Sequence, residues 1–169
     1  ISPKRGIIYV DNLSRALSEL KPQSKKVFKK NAEIYKNKLL EIDEDFSLFL
    51  NTLKKNQKYL VSCEGAFTYL TNDYGLKEAY LWPVNAESQI TPKRMAKVIN
   101  LVKTNDIPAV FCESTVSSES QLAVARETGA KFGGNFFVDS LSEKNGPASS
   151  YIDLLNHNLN LIKQAYSTK

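Results

Sequence analysis

YLVSCEGAFTYLTNDYGLKEAYLW, residues 59–82, holds an apolar run closed by an acid, a helix-like segment, a glycine and a second apolar run. Short runs rich in Tyr, Leu and Val read as buried strands, being too brief for a helix. Residues 59–63 and 78–82 are such runs; 65–72 reads as the helix between them, and Gly75 as its exit. The alternation continues downstream with a helix over 92–104, a strand over 109–112, a helix over 118–128, a strand over 135–138 and a helix over 148–166. Thr91-Pro92 supplies a cap and a first-turn proline, Gly146-Pro147 is read as opening the last helix, and Asn105-Asp106 and Gly129 mark helix exits. Gly133-Gly134 lacks the continuation of a phosphate-binding loop and is read as a turn. Four βα units in succession predict an α/β fold with a four-stranded parallel sheet flanked by helices.

Upstream the pattern is different. Residues 3–20 place Ile7, Ile8, Leu13, Leu17 and Leu20 at roughly helical spacing, which predicts an amphipathic helix. Pro22 suits the first turn of a new helix. From Val27 through Ile34, Leu39, Ile42, Phe46, Phe49 and Leu53 the apolar residues recur every three to seven positions, with no Gly or Pro before Asn56. Such a helix would run roughly 50 Å at 1.5 Å per residue, longer than a compact domain of this size needs, so it reads as a strut. The expected organisation is an amphipathic helix over 1–20, a long strut over 21–57 and a βα lobe over 58–169.

With 42% hydrophobic residues in 169, the chain can bury a sizeable core. No apolar stretch approaches the roughly 18 to 20 residues of a membrane helix, and no charged-apolar-small pattern marks a signal sequence. The net charge of +5 invites a nucleic-acid partner, but much of the excess lies in Lys21, Lys25, Lys26, Lys29, Lys30, Lys36 and Lys38 along the strut. No docking motif or stacking aromatics accompany them, so the expectation is a solvated helix face and no nucleic acid.

The chemistry concentrates on strand ends. Glu64, Glu113 and Asp139 each close an apolar run, in YLVSCE, VFCE and NFFVD. A doubly wound order sets strands one, three and four side by side and brings the three acids to one rim, where ligands of open α/β sheets bind. Anionic oxygens suit a divalent cation, although an acid after a strand is also an ordinary helix cap. His157, the only histidine, has no His or Cys partner at ligand spacing and reads as a surface or core-edge residue. Trp82 reads as packing. No strand-to-helix elbow carries a Ser nucleophile, and neither cysteine has an evident base, so catalysis is not expected. Cys63 and Cys112 are either two buried thiols or, in an exported protein with neighbouring strands, a disulfide.

VSCEGAFTYLTNDYGL, TPKRMAKVINLVKTNDIPAVFCEST, FFVDSLSE and SYIDLLNHNL, in that order and spacing, resemble the C-terminal lobe of the zinc- and manganese-binding solute-binding proteins of ABC importers. The opening SPKRGIIYVDNLSRAL and the long helix after it are similar to the stretch that precedes that lobe. The resemblance implies one of two βα lobes joined by a rigid helix, with a metal held between them by two histidines of the first lobe and two ligands of the second. The second-lobe ligands match Glu64 and Asp139. Glu113 matches no ligand and is expected to support one from behind. Both first-lobe histidines lack a counterpart here, and His157 matches neither.

The function implied is an extracytoplasmic, periplasmic binding protein that captures Mn²⁺ or Zn²⁺ and delivers it to a membrane permease. This chain would carry half the site and hold no metal stably alone. Two imidazoles with two carboxylates make a harder site than three imidazoles and tilt it toward Mn²⁺ or Fe²⁺. Export, also implied, favours the disulfide between Cys63 and Cys112. The stripe over residues 3–20, deprived of the other lobe, is expected to drive self-association. The rival expectations are a small metal-dependent α/β enzyme on the same rim and a purely structural or interaction module.

Overall fold

The computed structural model describes residues 1–54, 57–86 and 90–167. Helix α1 (Pro3–Leu20) leads through a short 3-10 turn (Pro22–Ser24) into α2 (Lys25–Thr52). The lobe then runs β1 (Tyr59–Glu64), α3 (Thr68–Tyr74), β2 (Lys77–Trp82), α4 (Pro92–Thr104), β3 (Ala109–Glu113), α5 (Glu119–Thr128), β4 (Lys131–Phe136) and α6 (Tyr151–Tyr166). The architecture is α/β, a long helix followed by parallel strands flanked by helices.

β1 pairs with β2 and β3 with β4, both parallel. The two pairs meet along β1 and β3, where Cys63 and Cys112 form a disulfide with their Cα atoms 4.7 Å apart. The strands thus lie side by side in the order β2-β1-β3-β4, as two hydrogen-bonded two-stranded sheets. Two side-chain bonds reinforce the seam: Glu113 Oε2 accepts from the Glu64 N–H (3.1 Å), and Gln121 Nε2 donates to the Val61 carbonyl (3.3 Å).

α1 and α2 form an antiparallel hairpin, with Lys36 of α2 paired to Asp11 of α1 at 2.9 Å. Gly6 permits the close approach, since a Cβ there would lie 2.9 Å from the Tyr151 hydroxyl and 3.2 Å from Leu39. The inward face of α1 is Pro3, Gly6, Ile7, Val10 and Ser18, while Ile8, Leu13, Leu17 and Leu20 are exposed. Only Ile7 of the expected apolar stripe thus points inward. Along α2 the buried residues Ala32, Leu39, Ile42, Phe46 and Leu50 keep the helical period, and its C-terminal half lies on the lobe. There Phe46 meets the Tyr74 ring edge-on at 5.0 Å, and the Tyr74 hydroxyl donates to Asp43 at 2.7 Å. At 28 residues α2 spans about 42 Å.

The caps decide where the elements start. Thr91 accepts from the Arg94 N–H as expected, and Gly75 and Gly129 end α3 and α5 in the left-handed region, where only glycine escapes a Cβ penalty. Three expectations need correction. α3 begins at Thr68, because Glu78 of β2 accepts from the Phe67 N–H (2.8 Å) and the Thr68 hydroxyl (2.7 Å) and so caps it from across the strand. α6 begins at Tyr151, capped by Ser150, whose hydroxyl accepts from the Asp153 N–H; Gly146-Pro147 lies in the turn before it. β4 starts at Lys131, and Gly133-Gly134 is inside it.

That glycine pair makes a bulge. The register runs Val110↔Phe132 and then Cys112↔Asn135, so β4 spends one more residue than β3. A Cβ on Gly133 would lie 2.2 Å from the Phe111 ring, and Gly134 has φ 116°. The glycines let Phe111 lie flat beneath the strand, stacked on Phe136 at 4.6 Å, and Phe136 in turn meets Phe67 at 5.1 Å. Burying each such aromatic contributes about 1.5–3 kcal/mol, and this cluster sits directly below the strand ends that carry the acids.

Candidate metal-facing rim

Glu64 ends β1, Glu113 ends β3, and Asp139 follows the end of β4 by three residues. Pairing of β3 with β4 sets Glu113 opposite Phe136, and the Glu113–Glu64 bond across the seam sets it against β1. The three acids of the sequence reading thus gather around Glu113, with Glu64 half-buried and Asp139 exposed.

Glu113 is 1% exposed. Burial pushes its carboxyl up to about 8, the charges of Glu64 and Asp139 push the same way, and the backbone N–H groups of Glu64 and Glu113 pull it back. Among the described residues its Oε1 has no hydrogen-bond partner. Burial and the neighbouring acids thus favour its protonated form, while its Oε2 accepts from the Glu64 N–H.

Glu64 Oε1 accepts from the Asn85 N–H, in the turn after β2. Asn85 adopts φ 58°, which asparagine tolerates better than most residues, and the Ala86 N–H closes the turn on Pro83 (3.1 Å). One carboxylate oxygen of Glu64 is therefore held from the side. Beside Asp139 in sequence, the Ser140 hydroxyl lies 3.5 Å from that of Ser114. Oxygens of the three acids do not all come within 4.8 Å of one another; the group that does, among the described residues, is Cys63, Cys112 and Glu113, whose sulfurs are consumed in the disulfide.

The remaining candidates fall elsewhere. His157 sits at the core edge with Nε2 3.1 Å from the Asn135 carbonyl and its ring edge-on to Phe137 at 5.3 Å. Trp82 is buried packing. The strut lysines are exposed or, for Lys36, paired with Asp11 and Glu33. No described helix is long and apolar enough to cross a membrane. Sequence reasoning missed Asn85, which only its tolerance of positive φ could have flagged, and Asn158, a polar residue interrupting the apolar period of Leu154, Leu155, Leu159 and Ile162.

Comparison with known proteins gives one consistent result. The family model described as zinc-uptake complex component A, periplasmic, matches residues 1–165. The iron-binding protein YfeA of Yersinia pestis is 41% identical over 166 residues, 98% of this chain and 53% of the relative. The manganese ABC transporter substrate-binding lipoprotein PsaA of Streptococcus mitis is 29% identical over 161 residues, 95% of this chain and 52% of the relative. Among solved structures, the Mn-bound periplasmic metal binding protein of Candidatus Liberibacter asiaticus superposes with a TM-score of 0.88 at 35% identity, covering 96% of this chain and 60% of that one. The chain spans about half the length of the curated relatives it matches.

Proposed function

Because the chain belongs to the family of the periplasmic zinc-uptake complex component A, we propose that it is one lobe and strut of an extracytoplasmic binding protein. Its cargo is a divalent transition metal, Mn²⁺ or Zn²⁺, which it hands to the permease of an ABC importer. The observation that carries this reading is the rim itself: Glu64 and Asp139 bring carboxylates close to the buried Glu113. In this proposal Glu64 and Asp139 are ligands, Glu113 braces Glu64, and residues 1–20, 21–57 and 58–169 are the end of a preceding lobe, the interlobe strut and the second lobe.

The relatives' names support metal binding but span iron and manganese, so the donor set must argue the metal. Oxygen-rich coordination favours Mn²⁺ and Fe²⁺, while the intrinsic affinity order favours Zn²⁺ over both. Two carboxylates fall short of the four or more ligands these ions take, so residues 1–169 alone hold the cargo weakly. All the relatives named above are binding components, which supports capture rather than catalysis.

The cleft between α1 and α2, about 1240 Å³, is lined by Ile8, Leu13, Leu17, Phe28 and Tyr35 among others. Exposed apolar patches of this kind mark interaction surfaces. In the proposal the other lobe covers it, and residues 1–169 alone self-associate through it; a monodisperse monomer by light scattering at tens of micromolar contradicts that part.

Calorimetric titration of the full-length protein with Mn²⁺ and Zn²⁺ tests the main reading. Glu64→Ala and Asp139→Ala should each weaken binding by at least about tenfold, the loss typical of an altered metal site. Unchanged affinity in both variants removes the rim from the site.

A further inference from the structure

Asp139 lies in an irregular stretch between the end of β4 and the start of α6, residues 137–150, so no ladder or helix fixes it. What fixes it is two residues away. The Phe137 N–H donates to Asn158 Oδ1 at 2.9 Å, and Asn158 Nδ2 donates to the Phe137 carbonyl at 2.6 Å. A side-chain amide carries both an acceptor and a donor, so it pairs with both polar groups of one residue as a neighbouring strand would. Asn158 is 2% exposed and lies on the buried face of α6. Below it, Phe136 is held from the other side by the Ser114 N–H at 2.8 Å, and above it the next tie is the exposed Ser114–Ser140 contact.

We infer that Asn158 is the positioning residue for Asp139: its paired hydrogen bonds to Phe137 set where the Asp139 carboxylate stands on the rim. The reasoning rests on the metal-binding reading above. An exposed carboxylate on an irregular segment binds a metal well only if its backbone is ordered beforehand, because ordering it on binding costs affinity. Among the described residues Phe137 is the last hydrogen-bonded anchor before Asp139; Asn158 makes both of its bonds, and the His157 ring of the same helix packs edge-on against it. Asn158→Asp keeps an acceptor for the Phe137 N–H but sets a carboxylate oxygen against the Phe137 carbonyl. Asn158→Leu removes both bonds and leaves two backbone groups without partners.

The test is a double-mutant cycle in the full-length protein, with Mn²⁺ as probe and affinity and dissociation rate as readouts. Asn158→Asp should weaken Mn²⁺ by about tenfold or more, through faster dissociation. In an Asp139→Ala background the same substitution should weaken it no further. A purely structural role would lower affinity equally in both backgrounds, which overturns the inference; so does wild-type affinity in Asn158→Asp. If Asp139→Ala itself leaves affinity unchanged, the metal-site reading fails, and the inference with it. Should neither Asn158 variant fold, amide exchange in the unaltered protein decides. The Phe137 amide should be protected at least tenfold more than that of Asp139, and equal exchange of the two overturns the inference.

Discussion

The seam between the two strand pairs rests on the Cys63–Cys112 disulfide, and removing it should be costly in a calculable way. The bridge spans 49 residues of sequence. On the chain-entropy model, closing a loop of that length removes denatured-state entropy worth about 4 kcal/mol at 25 °C. Against the 5–15 kcal/mol that stabilises a typical domain, this is a large share. The loss also falls where it matters for the rim, because the two pairs share a disulfide and the Glu113–Glu64 bond rather than a ladder, with Gln121 of α5 bonded to Val61 beside them. Both sulfurs are fully buried, so a reductant reaches them only after opening. The assay is therefore urea unfolding by far-UV circular dichroism of oxidised protein, compared with protein reduced in denaturant and refolded with reductant. The prediction is a fall in unfolding free energy of about 4 kcal/mol. It is accompanied by faster amide exchange at Glu64. A change under about 1 kcal/mol, with Glu64 exchange unaltered, refutes the view that the bridge holds the seam.

Two further outcomes concern pH. Burial raises the Glu113 carboxyl from its ordinary 4.5 to about 8, so the folded state keeps a proton that the unfolded chain releases. The stability this proton contributes is full below pH 4.5 and is lost as pH rises to about 8, at about 1.4 kcal/mol per pH unit. Glu113→Gln, neutral at every pH, should match the native chain near pH 5 and exceed it by a few kcal/mol above pH 8; parallel pH profiles in denaturant titrations contradict this. Asp73 behaves oppositely. Its hydrogen bonds from Arg5, at 2.7 to 3.1 Å, hold its carboxyl below the ordinary range and tie α1 to α3. That contribution is present above about pH 4 and lost as pH falls through the lowered value. Asp73→Asn should therefore be less stable at pH 7 and show a shallower acid limb in thermal melts; an unchanged acid limb counts against the pairing.

The lobe was legible in the sequence wherever local chemistry settled the outcome. Thr91-Pro92, Gly75 and Gly129 punctuate helices through their own backbone preferences, and the β1, β2 and β3 runs are apolar enough to be read directly. Reading failed where a partner distant in sequence decides. Glu78 caps α3 from ten residues downstream, and nothing local to Gly65 reports that. Gly133-Gly134 resembles a turn in isolation and becomes a bulge because the Phe111 ring needs the space of a missing Cβ. On α1 the small residues Gly6 and Ser18 face inward and larger apolar ones outward, an inversion that spacing alone does not disclose.

The rim divides the same way. Glu64, Glu113 and Asp139 were visible as acids closing apolar runs, and the disulfide and the Glu113–Glu64 bond across the β1–β3 seam bring the first two together. Their supports were not visible. Asn85 and Asn158 act on backbone groups of other segments, or through their own, and such bonds leave no periodic trace.

Anomalous diffraction at the manganese edge, from crystals of the full-length protein grown with Mn²⁺, addresses the proposed metal site most directly. The account predicts one strong peak within about 2.2 Å of a carboxylate oxygen of both Glu64 and Asp139. Glu113 should lie behind the peak without touching it. A fully occupied peak that neither carboxylate reaches would contradict the account.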